Sequence, residues 1–355
     1  MNKHEHNHGQ RQMRGEIKTA HDLRVIAWEI TRRCPLACRH CRAGAQDRDY
    51  AGELTTEECL RVLDSLAPEM RPMIIWTGGE PMYRPDILEL VRGATERGLR
   101  SVMAPCGMLV TREALQELKT AGITACSFSL DGATAATHDA FRGVEGAFEN
   151  VTRAMSVAVE IGMSFQVNVT ISRLNKKELP LIRQRAIESG AGTLDLFFLV
   201  PVGRGSVMRD LSLSPEDTDE VLRWAFAMDA QGPIRVRETC APQAVRIWHA
   251  AGKPGRAPSG CMGGRGFAFI SHTGVLQPCG FLDVDSGNLR DYGFDLRKAY
   301  ADSKVFNDLR QTEQYGGACG VCRFRQTCGG CRARAYAATG DYMAQEPGCP
   351  LASCD

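Results

Sequence analysis

The stretch Cys34-Pro-Leu-Ala-Cys38-Arg-His-Cys41 has three cysteines in the spacing C-x3-C-x2-C, shortly after the apolar run Leu23–Ile30. An ordinary four-iron ferredoxin site uses one cysteine for each iron, so three thiolates leave one iron open. An open coordination position is where catalytic metals bind external groups. Half of a zinc site, or a set of buried thiols, are the alternatives that this spacing leaves. The stretch therefore predicts an iron–sulfur cluster to which a further molecule can bind.

A second motif, Gly78-Gly79-Glu80-Pro81, follows the apolar run Met73–Thr77. The run predicts a buried strand, and the glycines allow a tight turn close to a ligand. Together the two motifs resemble those of the radical S-adenosylmethionine (SAM) superfamily. The resemblance implies that SAM binds the open iron through its amine and carboxylate and is split into methionine and a 5'-deoxyadenosyl radical. It also implies that the backbone and carboxylate oxygens of this second motif hold the SAM amino group.

The composition limits the classes of partner and compartment. The 355-residue chain is long enough for one large domain and a smaller one. Its 43 basic and 42 acidic residues cancel, which argues against nucleic acid or an anionic membrane as a partner. Because the sequence has no apolar stretch long enough to cross a bilayer and no apolar signal core, we expect a cytoplasmic protein. The 15 cysteines are then expected to be reduced thiols and metal ligands rather than disulfides.

Strand-like and helix-like segments alternate from about Leu23 to Val202. Six strands are predicted, at Leu23–Ile30, Met73–Thr77, Arg100–Pro105, Ala125–Leu130, Phe165–Ile171 and Leu194–Val200. Amphipathic helices lie between them, the first beginning with the capping box Thr55-Thr-Glu-Glu58. This order predicts an α/β protein with a parallel sheet, and six units are too few for an eight-fold barrel. A partial (β/α)6 barrel follows, which is also the fold of the superfamily that the chain resembles.

Three regions are predicted along the chain. Residues 1–20, which include His4, His6 and His8, form a disordered polar tail, with metal binding by the three histidines as the alternative. Residues 21–235 form the radical SAM core. Gly, Pro and Cys become dense after Ile234–Glu238, so residues 236–355 form a second, cysteine-rich domain.

Polar residues near the carboxyl ends of the predicted strands are further candidates, because barrels of this kind carry their sites there. By resemblance, Ser129 and Asp131 face the SAM carboxylate or ribose, Arg142 lies nearby, and His40 lies near the adenine. Asn168, in the fifth strand, is a further cofactor-binding candidate. The residues alone leave Asp131 open as a turn residue and Arg142 as half of a surface ion pair.

The C-terminal third contains a second cysteine group, in which Cys319, Cys322, Cys328 and Cys331 have the spacing C-x2-C-x5-C-x2-C. Two zinc sites are one interpretation. The group resembles the SPASM domain of radical SAM enzymes, whose usual spacing is C-x2-C-x5-C-x3-C and which holds auxiliary iron–sulfur clusters.

The SPASM resemblance implies one or two auxiliary [4Fe–4S] clusters. The first ligand set is Cys319, Cys322, Cys328 and Cys349, with Cys354 as a substitute for Cys349. The second set is Cys261, Cys279 and Cys331, with Cys240 as the candidate fourth ligand. If Cys240 does not reach, this cluster has an open iron or is absent. Cys59 and Cys126 are expected to be core thiols.

Longer segments, among them Val25–Cys34, Phe269–Gly280 and Cys328–Tyr336, resemble the tetrapyrrole-modifying branch of these enzymes. The segment Phe198–Gly205 is most similar to the anaerobic heme synthases. The resemblance implies oxidative decarboxylation of two propionates of iron-coproporphyrin III to vinyl groups, giving protoheme, with a flavodoxin or ferredoxin as electron donor. A didecarboxysiroheme deacetylase and a heme d1 maturation enzyme are the alternatives within the branch. A peptide-modifying SPASM enzyme and a non-enzymatic iron–sulfur or zinc scaffold are the alternatives outside it.

The substrate has four carboxylates, so arginines are expected to bind it. The candidates are Arg204, Arg265, Arg332 and Arg334, each of which is otherwise a surface residue. His272 is either a ligand of the porphyrin iron or a hydrogen-bonded structural residue. We expect the protein to be a monomer.

Overall fold

The computed structural model describes residues 23–66, 70–252 and 260–353. The predictions for residues 1–20 and for Cys354 lie outside these ranges. The described strands are β1 Val25–Glu29, β2 Met73–Thr77, β3 Ser101–Met103, β4 Ile123–Ser129, β5 Phe165–Ile171, β6 Thr193–Phe198, β7 Arg235–Thr239, β8 Phe267–Ile270 and β9 Leu276–Gln277. They form one sheet in the order β7-β6-β5-β4-β3-β2-β1-β8-β9. All neighbours are parallel except β8 and β9.

Helices connect the parallel strands and cover one face of the sheet. They are α1 Thr56–Asp64, α2 Ile87–Glu96, α3 Arg112–Ala121, α4 Ala135–Arg142, α5 Ala147–Glu160, α6 Leu179–Glu188 and α7 Pro215–Gln231. Five shorter helices follow in the cysteine-rich part described here: α8 Ala244–Ala250, α9 Leu296–Asp302, α10 Lys304–Arg310, α11 Gly317–Val321 and α12 Arg332–Thr339. None of the helices in the described ranges is both long and apolar enough to span a bilayer.

Alternation along the strands separates an apolar face from a polar one. Trp28 and Trp76 are fully buried, lie opposite each other in register, and stack with their ring centroids 5.6 Å apart. They belong to the main core, which also includes apolar residues of the helices. The other face, inside the partial barrel, contains the row Ser129, Asn168, Asp195 and Arg237, which are aligned across β4 to β7. The barrel interior is therefore polar along this row of residues.

The predicted partial barrel is confirmed, and so is the capping box at the start of α1. The Thr55 side chain accepts from the Glu58 N–H, and the Glu58 carboxylate accepts from the Thr55 N–H. Three strands extend the predicted six. Strand β7 escaped prediction because its sequence, Arg-Val-Arg-Glu-Thr, is mostly polar, and β8 joins β1 only through a contact between distant parts of the chain.

The proposed boundary at residues 235 and 236 falls inside β7, which pairs with β6. The cysteine-rich part also contributes β8 to the same sheet. The division into two domains stays a prediction.

Candidate active site

The three-cysteine loop lies after β1 and is clamped by the end of α4. Ala37 N–H donates to the Arg142 carbonyl at 3.1 Å, and Arg39 N–H donates to the Phe141 carbonyl at 3.0 Å. Gly143 ends α4 with φ +71°, and a Cβ there would lie 2.5 Å from the Ala37 carbonyl oxygen. Only glycine allows this close approach, so α4 fixes the shape of the loop between its cysteines.

Arg204 clamps the loop from the other side. Its Nη1 donates to the Cys38 carbonyl at 2.9 Å, its Nη2 donates to the Ala45 carbonyl, and its backbone N–H donates to the Cys41 carbonyl at 2.9 Å. The thiols of Cys34, Cys38 and Cys41 lie within one small apolar cluster. Two distant parts of the chain thus hold the three thiols together.

The Gly78-Gly79-Glu80-Pro81 loop packs directly on the segment that leads into Cys34. Gly79 N–H donates to the Thr31 carbonyl at 2.8 Å, and Glu80 N–H donates to the Arg33 carbonyl at 2.7 Å. A Cβ on Gly79 would lie 2.2 Å from the Arg33 carbonyl oxygen. The glycines are therefore required for the contact between the two motif loops.

The Glu80 carboxylate was expected to contact SAM, but in the structure it bonds the protein backbone. The side chain is fully buried; its Oε1 accepts from the Met82 N–H at 2.9 Å and its Oε2 from the Cys106 N–H at 2.6 Å. Burial raises its pKa, and the hydrogen bonds from Cys106 and Met82 act against this. Glu80 thus ties the turn after β2 to the segment after β3, and the backbone of the turn is left to contact a ligand.

A buried ion pair lies directly against the three-cysteine loop. Arg142 Nη2 is 2.5 Å from Asp131 Oδ2, and Arg142 Nη1 donates to Cys38 Sγ at 3.6 Å. Asp131 is fully buried, and its Oδ1 accepts from the Thr170 N–H at 2.6 Å. Burial opposes ionisation, but Arg142 and the smaller effects of other neighbours, among them the Thr170 N–H, together lower the pKa of Asp131. The two alternatives that the sequence left open, Asp131 as a turn residue and Arg142 as half of a surface ion pair, are therefore wrong.

His40 packs on Phe141 with ring centroids 4.8 Å apart, and its Nδ1 is buried without a partner in the described structure. Burial lowers the pKa of this imidazole to about 4, so it is neutral at physiological pH. Ser129, at the end of β4, and Asn168, in the middle of β5, are opposite each other and half-buried on the polar face. Asn168 Oδ1 accepts from Gln166 Nε2 at 2.8 Å. His40 thus lies within the three-cysteine loop, whereas Ser129 and Asn168 lie on the inner face of the sheet.

The first predicted auxiliary set lines a cavity of about 290 Å³, into which Cys319, Cys322, Cys328 and Cys349 all face. Three of these sulfurs accept backbone N–H groups at 3.4 Å each: Cys322 from Phe324, Cys328 from Gly330, and Cys319 from Glu346. N–H groups aimed at sulfur are typical of iron–sulfur ligands. The cavity and its donors therefore fit a cluster bound by these four thiolates.

The second predicted set also comes together, and it includes Cys240. The Cys240, Cys279 and Cys331 side chains pack in one cluster. Cys240, Cys261 and Cys279 are each close enough to Cys331 for the two thiols to influence each other's pKa. Cys240 has φ +61°, an uncommon conformation for a residue with a side chain that costs about 1–3 kcal/mol. Such strain is concentrated at functional sites, which supports a role for this thiol.

No group of three or more His, Cys, Asp or Glu side chains in the described ranges converges closely enough to hold a single metal ion. A cubane cluster takes each thiolate on a different iron, so its ligands do not converge on one point. Cys59 and Cys126 are buried in the main core, as predicted.

The four arginines proposed for the substrate carboxylates all bond within the protein. Arg204 clamps the three-cysteine loop as described, and Arg265 donates to the Gln326 carbonyl. Arg332 and Arg334 are buried among the C-terminal cysteines. The sequence does not show whether such an arginine binds a ligand, because the same side chain can instead bond thiolates and carbonyls of the protein.

His272 lies 2.8 Å, through Nδ1, from Oε1 of the fully buried Glu29 at the end of β1. Arg32 Nε and Arg42 Nη2 also bond this carboxylate, at 3.1 and 2.7 Å. Burial opposes ionisation, but Arg42 first, then His272 and Arg32, lower the pKa of Glu29 to about 2. A metal-ligating histidine commonly bonds a carboxylate through its second nitrogen, and the iron-ligand role of His272 stays a prediction.

Sequence reasoning missed two residues of the site, Cys106 and Glu346. The Cys106 thiol packs with the three-cysteine loop, but a single cysteine offers no spacing signal. Glu346 accepts from Cys331 N–H at 2.6 Å, Gly348 N–H at 2.9 Å and Arg334 Nε at 2.8 Å. Its position before Pro347 in a polar segment gave no sign of burial, which depends on packing across the cysteine-rich part.

Comparisons with known proteins agree with this geometry. The model of the Radical SAM superfamily matches residues 28–185. An AdoMet-dependent heme synthase of Nitratidesulfovibrio vulgaris is 41% identical over 361 residues, covering 98% of this chain and 97% of that protein. An AdoMet-dependent heme synthase of Methanosarcina barkeri is 42% identical, covering 92% and 96%.

Among solved structures, Streptococcus suis SuiB bound to its precursor peptide SuiA has a TM-score of 0.75. The match covers 93% of this chain and 76% of SuiB at 15% identity, which supports the fold. The matches to heme synthases extend over nearly the whole chain, including both cysteine regions. The chain therefore belongs to the radical SAM superfamily, within the family that includes the AdoMet-dependent heme synthases.

Proposed function

We propose that this protein oxidatively decarboxylates two propionates of iron-coproporphyrin III to vinyl groups, giving protoheme. For each propionate, one β-hydrogen atom is removed, the bond to the carboxylate carbon breaks, CO2 leaves, and one electron remains to be accepted. The observation that carries the proposal is the presence of two kinds of thiol group: a three-cysteine loop and two four-cysteine groups. A cluster in the three-cysteine loop would suit hydrogen abstraction, and clusters in the four-cysteine groups would suit acceptance of the remaining electron.

Cys34, Cys38 and Cys41 would hold the radical [4Fe–4S] cluster, and the buried ion pair of Arg142 and Asp131 would fix the Cys38 side of it. When bound, the cluster and SAM supply the abstraction of a hydrogen atom from an unactivated carbon, which no side-chain base can deprotonate near neutral pH. The backbone of Gly78–Pro81 would bind SAM, whereas the Glu80 side chain holds that backbone in place.

Ser129, Asn168 and His40 would line the remainder of the SAM site. Ser129 and Asn168 lie on the polar inner face, and the neutral His40 ring, within the cysteine loop, packs against Phe141. The auxiliary clusters would be held by Cys319, Cys322, Cys328 and Cys349, and by Cys240, Cys261, Cys279 and Cys331. These assignments follow from the grouping of the thiols described above.

Arg237 would bind a substrate carboxylate in place of the four arginines that the protein uses internally. It lies on the inner face of the edge strand β7, with half of its side chain exposed. Its Nη2 is held by Asp195 Oδ2 at 2.9 Å and Gln166 Oε1 at 3.0 Å, and Gln166 in turn bonds Asn168. Within the described residues its other nitrogens bond no acceptor, which leaves N–H donors for a propionate.

The substrate assignment is tested by an anaerobic reaction with SAM, a reductant and iron-coproporphyrin III, followed by mass spectrometry. The expected result is successive loss of two carboxyl groups as CO2, with one SAM consumed for each vinyl group. If iron-coproporphyrin III is untouched while didecarboxysiroheme loses acetate groups, the protein is the deacetylase of the same branch.

The role of Arg237 is tested by its effect on substrate binding. Arg237→Gln should weaken iron-coproporphyrin binding about tenfold or more in an absorbance titration, as expected for loss of about 1.5–3 kcal/mol from a charged hydrogen bond. Arg235→Gln is the matched control, because Arg235 lies on the same strand and face but pairs with Asp229. Equal affinities of the two variants would remove Arg237 from the binding site.

The partners are proposed on the same basis. A small electron-transfer protein such as a flavodoxin or ferredoxin would supply the reducing electron, and the protein would act as a cytoplasmic monomer. Light scattering during size-exclusion chromatography under anaerobic conditions measures the oligomeric state, and a dimer mass would contradict the monomer.

A further inference from the structure

The buried arginines beside the cysteine groups differ in how their charge is balanced. Arg142, beside the three-cysteine loop, is paired with Asp131, and Arg334 is paired with Glu346 at 2.8 Å. Arg332 is only 2% exposed, yet it forms no ion pair within the described part of the chain. A buried positive charge without a counterion is strongly unfavourable, so its surroundings must provide negative charge in another form.

The contacts of Arg332 show where that negative charge lies. Its Nη1 donates to the carbonyls of Tyr342 and Ala344 at 3.3 and 2.6 Å, and its guanidinium lies 4.5 Å above the Tyr315 ring. These contacts offer partial charges only. Its Nη2 donates to Cys319 Sγ at 3.5 Å. As a cluster ligand this sulfur would be a thiolate, the only one of these partners that could carry a full negative charge.

Gly330 shows that this contact is built into the fold. It has φ +64°, and a Cβ there would lie 2.4 Å from Arg332 Nη2 and 3.3 Å from Cys319 Sγ. Any larger residue would occupy the space between the guanidinium and the sulfur. The chain therefore keeps that space free by placing glycine in a backbone conformation that glycine adopts without cost.

We propose that Arg332 raises the reduction potential of the auxiliary cluster held by Cys319, Cys322, Cys328 and Cys349. The inference rests on the cluster assignment in the proposed function. Reduction adds one negative charge to a cluster, and a fixed positive charge in a low-dielectric interior stabilises the reduced form. Glu346 also lines the cavity of this group, but its carboxylate bonds Arg334 Nε and the Cys331 N–H. Arg334 therefore balances the charge of Glu346, whereas Arg332 donates to Cys319 Sγ and has no acidic partner within the described residues.

The test measures the potentials of the two auxiliary clusters in full-length protein. Replacing Cys34, Cys38 and Cys41 by Ala removes the signal of the radical cluster, and a potentiometric titration followed by electron paramagnetic resonance then resolves the others. Arg332→Gln should shift one midpoint to a lower potential, whereas Arg332→Lys, which keeps the charge, should shift it less. The shifting signal should be the one that Cys322→Ala abolishes.

Arg310→Gln is the matched control. Arg310 also stacks on a tyrosine, 4.5 Å above the Tyr300 ring, and donates to the carbonyls of Gly264 and Tyr300. It lies outside the cysteine groups, so its replacement should leave both midpoints at their original values. Unchanged midpoints in Arg332→Gln with full iron content would overturn the proposal.

If Arg332→Gln loses auxiliary iron, Glu346→Gln tests the same electrostatic effect, and the expected shift of the midpoint potential is in the opposite direction. Removal of the Glu346 charge leaves Arg334 unbalanced, so an auxiliary midpoint should rise; no shift, or a fall, would contradict the electrostatic argument. Zinc, or no iron at all, in the anaerobically purified parent would instead refute the cluster assignment on which the inference rests. Failure of the inference and failure of the proposed function therefore give different results.

Discussion

The two cysteine regions reach their geometry by different routes. Cys34, Cys38 and Cys41 come from one loop, and the rest of the protein holds that loop mainly through backbone hydrogen bonds from α4 and from Arg204. The eight C-terminal thiols come from segments spread between residues 240 and 349 and meet through tertiary packing. Cys261 N–H, for example, donates to the Cys328 carbonyl at 3.0 Å. The first region is defined by local spacing and the second by the fold.

Ion pairs take a different part in each region. The loop at Cys34–Cys41 keeps its shape mainly through close contacts between glycines and carbonyls, and the Arg142–Asp131 pair lies against its Cys38 side. The C-terminal groups depend on a buried ion pair, since Arg334 donates to the carbonyls of Leu199 and Cys240 while bonding Glu346. We therefore expect cysteine replacements to act locally in the first region and charge replacements to act broadly in the second.

The largest expected effect is loss of SAM cleavage in one region without loss of iron in the other. Replacement of Cys34, Cys38 or Cys41 by Ala should abolish SAM cleavage, because each would remove one of three iron–thiolate bonds. Auxiliary iron should remain, since the other thiols lie in separate groups. The measurement is release of 5'-deoxyadenosine together with iron content. Cleavage at the unmodified rate in any of the three variants would exclude this loop as the radical site.

Cys240 tests the grouping that only tertiary structure creates. In a background without Cys34, Cys38 and Cys41, Cys240→Ala should lower auxiliary iron by up to one cluster, because it removes the fourth thiolate of its group. Cys59→Ala is the control, since Cys59 is buried in the main core and belongs to none of the proposed ligand sets. Iron content and a paramagnetic spectrum that match those of the background would rule out Cys240 as a ligand.

The comparison also shows how far sequence could reach. The strands Met73–Thr77 and Phe165–Ile171 agree with prediction to the residue, because short apolar runs define them locally. The three-cysteine loop was predictable for the same reason. Cys240 was predicted as the fourth ligand only by counting, and the structure supplies its contact with Cys331.

Charge pairing was the part that sequence could not supply. The Arg142–Asp131 and Arg334–Glu346 pairs join residues 11 and 12 positions apart, and nothing in the local pattern distinguishes a buried guanidinium from a surface one. Burial depends on which segments pack above these residues. For this reason four arginines were assigned to a substrate although the protein itself uses them.

The ion pair at the three-cysteine loop gives a smaller effect than the cysteines. Asp131→Asn should destabilise the protein by about 3–5 kcal/mol, because it leaves the buried Arg142 charge without its partner. Anaerobic urea unfolding measures the change. Glu58→Gln is the control: Glu58 pairs with Arg290 at 2.9 Å near the surface, where about 1 kcal/mol or less is at stake. Equal losses in both variants would contradict the buried role of Asp131.

Glu29 joins the two regions, because it lies at the end of β1 and bonds His272 of the cysteine-rich part. Its pKa in the folded protein, about 2, is below the ordinary value of 4.5. A lowered carboxyl pKa adds stability that is fully present above the unfolded pKa and is lost as the pH falls through the folded one. The contribution is roughly 3 kcal/mol at pH 7, since each pKa unit corresponds to about 1.4 kcal/mol.

This link should make the difference between wild type and Glu29→Gln depend on pH. The free energy of unfolding should differ by about 3 kcal/mol at pH 7, and by less than half of that near pH 3, where the unfolded carboxyl is already protonated. Comparing the two proteins at each pH removes the effects of acid that they share, including any loss of iron. A difference that stayed constant from pH 7 to pH 3 would mean that Glu29 contributes by packing alone. A difference that narrows would show that Glu29 contributes through its charge, chiefly against Arg42 and then against His272 and Arg32.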